Sequence, residues 1–446
     1  MDVDIERVVK LALKAGADEA EAYRVFARGS SATLEGGVIK HADFIELEAL
    51  GIRVAVGRKV ATVGTERVDE AGIREAVEAA VSIAKALRED PNWRGLNDKL
   101  ATRPAEGFYD RTAAEAGPED MASIVRECAS IVKGFEGAEP VSMGASAGEA
   151  VVEVMNSYGG PVSYRSTSAT YSLEVKVRSG GEEGVFYDST FSRGVKGLKA
   201  EDLTRDVVRK AFEYVGGRPV ETGVYDLILT PEVAASFIDV MLVSPLSALS
   251  VQEGRSPLAG RVGEAVLSKA VTLTDVGTDP KLLGCRPFDD EGFPTTTRAL
   301  VKEGILLDYV YDTYTARREG RESTGNAWRP SYSRPPVPSV NHLRLEPGDS
   351  SPEEMIAETR RGLLIERTIG EWLSRPVSGL LNATVTHAKL VIDGEVKHPV
   401  KGVVVSGNIY SMLGKDLALL GRTVGRVPRR VSSPHLLIKG VRVAGM

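Results

Sequence analysis

Ile45-Glu46-Leu47-Glu48-Ala49-Leu50-Gly51-Ile52-Arg53-Val54-Ala55-Val56 carries apolar residues at alternate positions, Ile45, Leu47 and Ala49 and then Ile52, Val54 and Val56. A period of two turns one side of a pleated strand toward a core. Outward from this stretch the same spacing runs over residues 19–65, interrupted at Glu35-Gly36-Gly37 and at Gly57-Arg58-Lys59. Glycine at such breaks supplies the backbone of tight hairpins, so an antiparallel meander is predicted. Before it, Ile5, Val8, Val9, Ala12 and Leu13 recur at helical spacing and stop at Gly16. After it, Ile73, Val77, Val81 and Ala84 keep a four-residue rhythm behind Gly72, so helices cover one face of the sheet.

The same grammar then repeats. Met121, Ile124, Val125, Cys128, Ile131 and Val132 make a helical stripe, and strand-like alternation follows over residues 151–191, with Gly159-Gly160 and Gly180-Gly181 as hairpin turns. Leu203, Val207 and Ala211 mark a closing helix before Gly216. Residues 1–215 therefore read as an N-terminal α+β domain of antiparallel sheets covered by helices. Gly216-Gly217-Arg218-Pro219-Val220-Glu221-Thr222-Gly223 shows neither period, and residues 216–223 read as a linker.

Residues 224–446 read as a β-rich C-terminal domain. A buried strand is predicted over residues 225–229, then a helix opened by Thr230-Pro231-Glu232, packed through Phe237, Ile238, Met241 and Leu242 and ended by Pro245. Four prolines between Trp328 and Pro338 predict a surface crossing or packed edge without ladder pairing. Ser351-Pro352-Glu353-Glu354 is a capping box for a short helix ending near Gly362, and Val385, Leu390, Val391, residues 403–405 and residues 435–443 supply strands.

The 446 residues are enough for two or three domains, and 42% hydrophobic with 26% charged residues is the profile of a folded soluble protein. A net charge of −6 leaves no basic surplus for phosphates, so nucleic acid is not an expected partner. Cys128 and Cys285 are the only cysteines, which fits a reducing cytoplasm. The start, Met-Asp-Val-Asp-Ile-Glu, has no secretory signature, and no apolar passage, residues 240–251 included, is long enough to cross a bilayer, so no membrane association is expected.

Few motifs carry chemistry on their own. The five histidines approach no closer than His387 and His398, so no helical zinc pair exists, and each reads as a surface or loop residue. His387 and His398 would face each other only across a hairpin at Asp393-Gly394, beside lysines. Gly144-Ala145-Ser146-Ala147-Gly148 satisfies G-x-S-x-G, but strand-like residues follow it, so it reads as a flexible turn or a close backbone approach. Gly414-Lys415 precedes Asp416 and makes no phosphate loop. Arg286 beside Cys285 would favour a thiolate, against the plainer reading of an inert thiol, and Cys128 falls on an apolar helical stripe. Asp289-Asp290-Glu291-Gly292 reads either as a solvated turn or as a holder of a cation or peptide amine. Ser323-Thr324-Gly325-Asn326 is an ordinary turn or a groove lining that lets another backbone come close.

Six ordered blocks then weigh more than any single motif: Ala15-Gly16-Ala17-Asp18-Glu19-Ala20-Glu21, Pro287-Phe288-Asp289-Asp290-Glu291-Gly292, Tyr314-Thr315-Ala316-Arg317, Ser323-Thr324-Gly325, Val377-Ser378-Gly379 and Ser406-Gly407-Asn408. With them the chain resembles, from end to end, the PmbA/TldD family, long labelled modulators of DNA gyrase. The resemblance implies a two-subunit intracellular metalloprotease in which one subunit carries His-Glu-x-x-x-His on a helix plus a late cysteine, while its sister lacks both. Counted back from Gly260-Arg261-Val262-Gly263-Glu264, those helix positions are Asp239, Val240 and Ser244, and no cysteine follows Cys285. The chain resembles the metal-free, PmbA/TldE-like sister.

The resemblance thus implies a C-terminal domain of the TldD/TldE metalloprotease type, no cofactor and no catalytic residue in this chain, and zinc or another divalent metal only in a TldD-like partner. Val240 takes no proton from water, and Asp239 with Ser244 lacks the nitrogen donors zinc prefers. Three readings follow. The first is the non-metal subunit of a complex that degrades unfolded peptides or processes small proteins, as a heterodimer. The second is a homodimeric peptide-binding or scaffold protein without proteolytic activity, and the third an enzyme working through Cys285 or Ser146. Peptide capture is expected by strand addition on an exposed edge of the second domain, with Asp289, Asp290, Glu291, Ser323, Thr324, Gly325 and Asn326 as candidate groove.

Overall fold

The computed structural model describes residues 4–102, 106–425 and 430–445. Its first half is α1 (Ile5–Lys14), β1 (Glu19–Glu35), β2 (Val38–Val56), β3 (Lys59–Thr65), α2 (Glu70–Ala86), α3 (Arg111–Ala114), α4 (Pro118–Lys133), β4 (Ala138–Asn156), β5 (Gly159–Ser179), β6 (Glu182–Ser192) and α5 (Ala200–Glu213). The two predicted strand groups are halves of one antiparallel six-stranded sheet, ordered β3-β2-β1-β4-β5-β6. Asp4 caps α1 by accepting the amides of Glu6 and Arg7, and Ile5, Val8, Val9 and Ala12 form its buried stripe.

The decisive stretch contains a phase change that its sequence shows and its simple alternation hides. Register against β1 runs unbroken from Ile45 to Ala55, so Ile45, Leu47 and Ala49 point to one face and Leu50, Ile52 and Val54 to the other. Leu50, Ile52 and Val54 pack against α1 and α2. The second face is also covered, by the C-terminal half: Tyr23, Val152 and Val154 meet Phe288 there. Both faces of residues 49–55 are buried, and Arg53 with them.

The second half runs β7 (Gly223–Leu229), α6 (Pro231–Leu242), α7 (Ala248–Gln252), β8 (Leu273–Asp275), β9 (Arg298–Lys302), β10 (Ile305–Leu306), α8 (Thr313–Arg318), β11 (Ala327–Trp328), β12 (Val337–Pro338), β13 (Leu343–Leu345), α9 (Pro352–Ala357), β14 (Arg361–Ile369), β15 (Leu380–Ile392), β16 (Glu395–Val400), β17 (Val403–Asn408), α10 (Ile409–Met412), β18 (Leu417–Leu420), β19 (Val431–Ser432) and β20 (Leu436–Ala444). Because β14 pairs with both β7 and β15, the strands β14-β7-β20-β17-β15 close into a ring. A closed ring has no edge, so any exposed edge for the expected strand addition lies outside these five strands. Among the described residues in this half, open sides remain on the short β10, β11, β12, β16, β18 and β19. The α6 helix is a core element: Val233, Ala234, Phe237, Ile238, Met241 and Leu242 are buried in one cluster with both C-terminal sheets.

Three local expectations change. The Pro-rich stretch does pair, Ala327 with Pro338 and Trp328 with Val337, and its loop lies on the N-terminal sheet. A Cβ on Gly51 would stand 2.1 Å from the Tyr332 carbonyl, so only glycine admits that contact. The capped helix α9 stops at Ala357, and Gly362 lies inside β14. Gly144-Ala145-Ser146-Ala147-Gly148 is mid-strand in β4, and a Cβ on Gly148 would meet the Arg28 carbonyl at 2.4 Å, so it is a close approach and no turn.

Candidate functional site

Two groups of residues bear on function, the α6 positions and the acidic turn, and they occupy different places. On α6, Val240 is partly buried and packs against the core cluster, Asp239 is partly exposed, and Ser244 falls beyond the last helical residue and hydrogen-bonds Ser250 at 3.2 Å. The nearest cation to Asp239 is Arg430, whose Nε is 3.7 Å from Oδ1 and whose guanidinium lies over Trp328, 5.5 Å from the ring centre. A carboxylate facing a guanidinium, a valine and a serine off the helix end do not make a zinc donor set. Among the described residues no three His, Cys, Asp or Glu side chains converge as a metal site.

The acidic turn and the Ser-Thr-Gly-Asn turn are brought together, but inside the molecule. Asp289, Asp290, Glu291 and Asn326 are all buried, so they line no open groove and form no solvated turn. Asp289 accepts the amides of Glu291 and Phe293 at 3.0 Å and of Ala327 at 2.9 Å, which ties the two turns to each other. Burial, followed by the neighbouring Glu291 charge, pushes its carboxyl well above the usual range. Thr324 hydrogen-bonds the Asn326 side chain, Ser323 the Tyr311 carbonyl, and Asn326 the Asp275 carboxylate at 2.7 Å. Gly325 has φ +73°, and a Cβ there would be 2.4 Å from the Pro294 carbonyl, so its close backbone contact is with this chain.

What this centre does is join the two halves. Arg53 Nη2 on β2 lies 2.8 Å from both Glu21 on β1 and Glu291 of the acidic turn. Arg329 closes the ring on Glu21, and its amide donates to Asp290 at 2.7 Å. Arg286 holds Asp290 at 2.5 Å. Burial alone would raise Glu291, but Arg53 and the Thr313 amide outweigh it, and its carboxyl sits below the usual range. Next to it Asp312, cap of α8, is pushed up to about 7 by burial and by the Glu291 charge. The partners Arg53 and Arg329 escaped the sequence reading. The available signal was Ala49, Gly51 and Ala55, small residues on the second face of β2, which mark a sheet covered on both sides.

The remaining candidates resolve individually. Cys285 is buried, donates to the Val276 carbonyl at 2.9 Å and has its thiol pushed up by burial to about 12, so Arg286 does not activate it. Cys128 is core. Ser146 hydrogen-bonds Thr170 at 2.7 Å, with no histidine partner. His342 is no surface residue: it is buried between the Leu283 carbonyl and Ser432. His387 packs on Phe186 and Tyr214 and contacts the Val185 carbonyl, away from the partner of His398.

Three family models cover the chain: PmbA/TldA metallopeptidase domain 1 at residues 20–84, the central domain at residues 111–213 and the C-terminal domain at residues 222–445. The chain belongs to the PmbA/TldD metallopeptidase family. TldE from Thermococcus kodakarensis has a solved structure that superposes with a TM-score of 0.91 at 25% identity, covering 99% of this chain and 100% of that one. A metalloprotease TldD homolog of Haemophilus influenzae is 24% identical over 96% of this chain and 93% of its own. A metalloprotease of Methanothermobacter thermautotrophicus is 30% identical over 55% of this chain and 56% of its own length, so the match spans about half of that relative. The α+β fold with a β-rich C-terminal half is the fold of these PmbA/TldD proteins.

Proposed function

We propose that this chain is the metal-free, PmbA/TldE-like subunit of a metalloprotease complex, pairing with a TldD-like subunit that supplies the divalent metal and the hydrolytic step. In this reading its own part is structural and recognitive: it completes an enclosure in which unfolded peptides or small proteins meet the partner's metal. The observation that carries it is the α6 side-chain set, with Val240 unable to take a proton and Asp239 facing Arg430.

Relatives named both TldD and TldE support a paired assembly. So does an apolar patch of Ile369 at the end of β14 with Trp372, Leu373 and Val377 on the turns Glu371–Leu373 and Pro376–Ser378, which pack against α6. Trp372 and Leu373 are 67% and 73% exposed, and the patch opens roughly 450 Å² of apolar surface, about half of what one partner buries in a standard interface. The TldD-like subunit is its assigned occupant. A cytoplasmic site of action is part of the proposal, because both cysteines are free and buried. No helix among the described residues is long and apolar enough to cross a membrane.

Pull-down of tagged chain from its host, with mass spectrometry of what elutes, tests the reading. It predicts a stoichiometric relative carrying His-Glu-x-x-x-His. A homodimer that binds unfolded peptides and retains no such relative would make the chain a peptide-binding scaffold instead.

A further inference from the structure

A cavity of about 250 Å³ lies between the central strands and the C-terminal half, lined by Tyr164, Arg193, Arg286, Trp328, Asn341 and Arg430. Its charge is unbalanced. Arg193 donates to the carbonyls of Pro280, Thr167, Leu282 and Cys285, and among the described residues no carboxylate pairs with it. Arg286 is matched by Asp290, whereas Arg430 donates to Ser339 at 3.0 Å and stands 3.7 Å from Asp239. The cavity therefore carries a net positive charge and favours an anion.

One lining group asks for a donor as well. Asn341 is 3% exposed, and its Nδ2 is committed to two acceptors, Gly325 O at 3.0 Å and Asp275 Oδ2 at 3.3 Å. That fixes the amide orientation and leaves Oδ1 buried without a partner. An unfilled acceptor beside surplus guanidinium, with the 40% exposed Trp328 as a wall, suits a ligand that has a carboxylate, an adjacent N–H and a side chain. The volume is below the ~300–1,000 Å³ of pockets that enclose a drug-sized ligand, so it admits the end of a chain rather than a length of one.

We propose that this cavity binds the C-terminal residue of a peptide, with the terminal carboxylate on Arg430 and Arg193, the last backbone N–H on Asn341 Oδ1, and the last side chain against Trp328. The assignment rests on the peptide-binding reading above. Because the lining Arg430 also approaches Asp239, the cavity lies near α6, on which the resemblance puts the family's metal motif. The anchored end would thereby fix how far a substrate reaches toward the partner's metal.

The test is fluorescence anisotropy with full-length chain and a short unstructured peptide, labelled at its N-terminus, in free-acid and C-terminal amide forms. The acid form is expected to bind about tenfold or more tightly, the worth of a charge-assisted hydrogen bond, and Arg430→Gln to erase the difference. Equal affinities, or an equal loss for both forms in Arg430→Gln, would overturn this inference while leaving peptide binding standing. No binding of either form would sink both. Displacement by inorganic phosphate as effective as by unlabelled acid peptide would overturn the C-terminal assignment in favour of a general anion site.

Discussion

Replacing Arg53 with methionine keeps much of the side-chain volume and removes the guanidinium that touches both Glu21 and Glu291. The two carboxylates then differ. Glu21 keeps Arg329, but Glu291 is left with Thr313 as its partner while 1% exposed. Breaking a buried pair from one side costs about 3–5 kcal/mol, because the abandoned charge stays in a medium that solvates it poorly. Spread over an unfolding entropy of about 2.1 cal/mol/K per residue, about 4 kcal/mol lowers the midpoint of a cooperative transition by about 4 °C. Glu291→Gln added to Arg53→Met should recover more than half of the loss, since a neutral amide carries no unpaired charge. The pH dependence has a definite sign. In the parent chain Glu291 is held below its ordinary value, so its contribution is present above the unfolded value and lost on acidification. Without Arg53 burial raises it, and its contribution is then present in acid and lost as pH rises. Below the unfolded value the parent's loss, and above it the variant's loss, sets the gap, so the difference between parent and variant grows as pH rises toward about 7. Calorimetry and urea unfolding at several pH values measure it. A loss under about 0.5 kcal/mol, or one independent of pH, would refute the claim that this bridge holds the halves together.

Asp312 gives a second pH signature: raised to about 7, it contributes stability that is complete below about pH 4 and lost as pH rises toward 7. Asp312→Asn keeps a cap for α8 and should be more stable than the parent by on the order of 1–3 kcal/mol at about pH 8, with the advantage gone in acid, by urea unfolding. Neither thiol should react with a disulfide reagent in the folded chain at about pH 8, and both should react in denaturant; rapid labelling of native Cys285 would contradict its burial. Trp372→Glu with Leu373→Glu should abolish co-elution with the metal-bearing subunit and leave the melting temperature of the isolated chain within about 2 °C, read by size exclusion and calorimetry.

How far the sequence reaches depends on whether the cause of an element is local. The helices α1, α2, α4 and α5, the hairpin turns at Gly36 and Gly180, and the strands between them follow from spacing and glycine placement, which are properties of neighbours along the chain. The fate of Asp289, Asp290 and Glu291 does not. Three carboxylates before a glycine look solvated because what covers them is not local: Glu291 meets Arg53, encoded more than two hundred residues earlier, and Asp290 meets the amide of Arg329. Gly362 was misleading for a related reason: it reads as a helix terminator, but its work is to let β14 approach Asp226 on β7, where a Cβ would be 2.6 Å from the carbonyl. The α6 positions were reached through family resemblance alone, since nothing in an apolar helix singles out Asp239, Val240 or Ser244. The Arg193, Asn341 and Arg430 cavity was invisible because its members come from three distant segments.

The most direct test of the central claim is metal content and peptidase activity measured on one preparation of full-length chain, alone and then mixed with its His-Glu-x-x-x-His relative. Elemental analysis of the chain alone should find metal far below one equivalent, with an unstructured peptide left intact, and cleavage should appear on mixing. A chain that by itself holds one equivalent of zinc or iron and cuts the peptide, with both lost together on chelation, would contradict the assignment of hydrolysis to the partner.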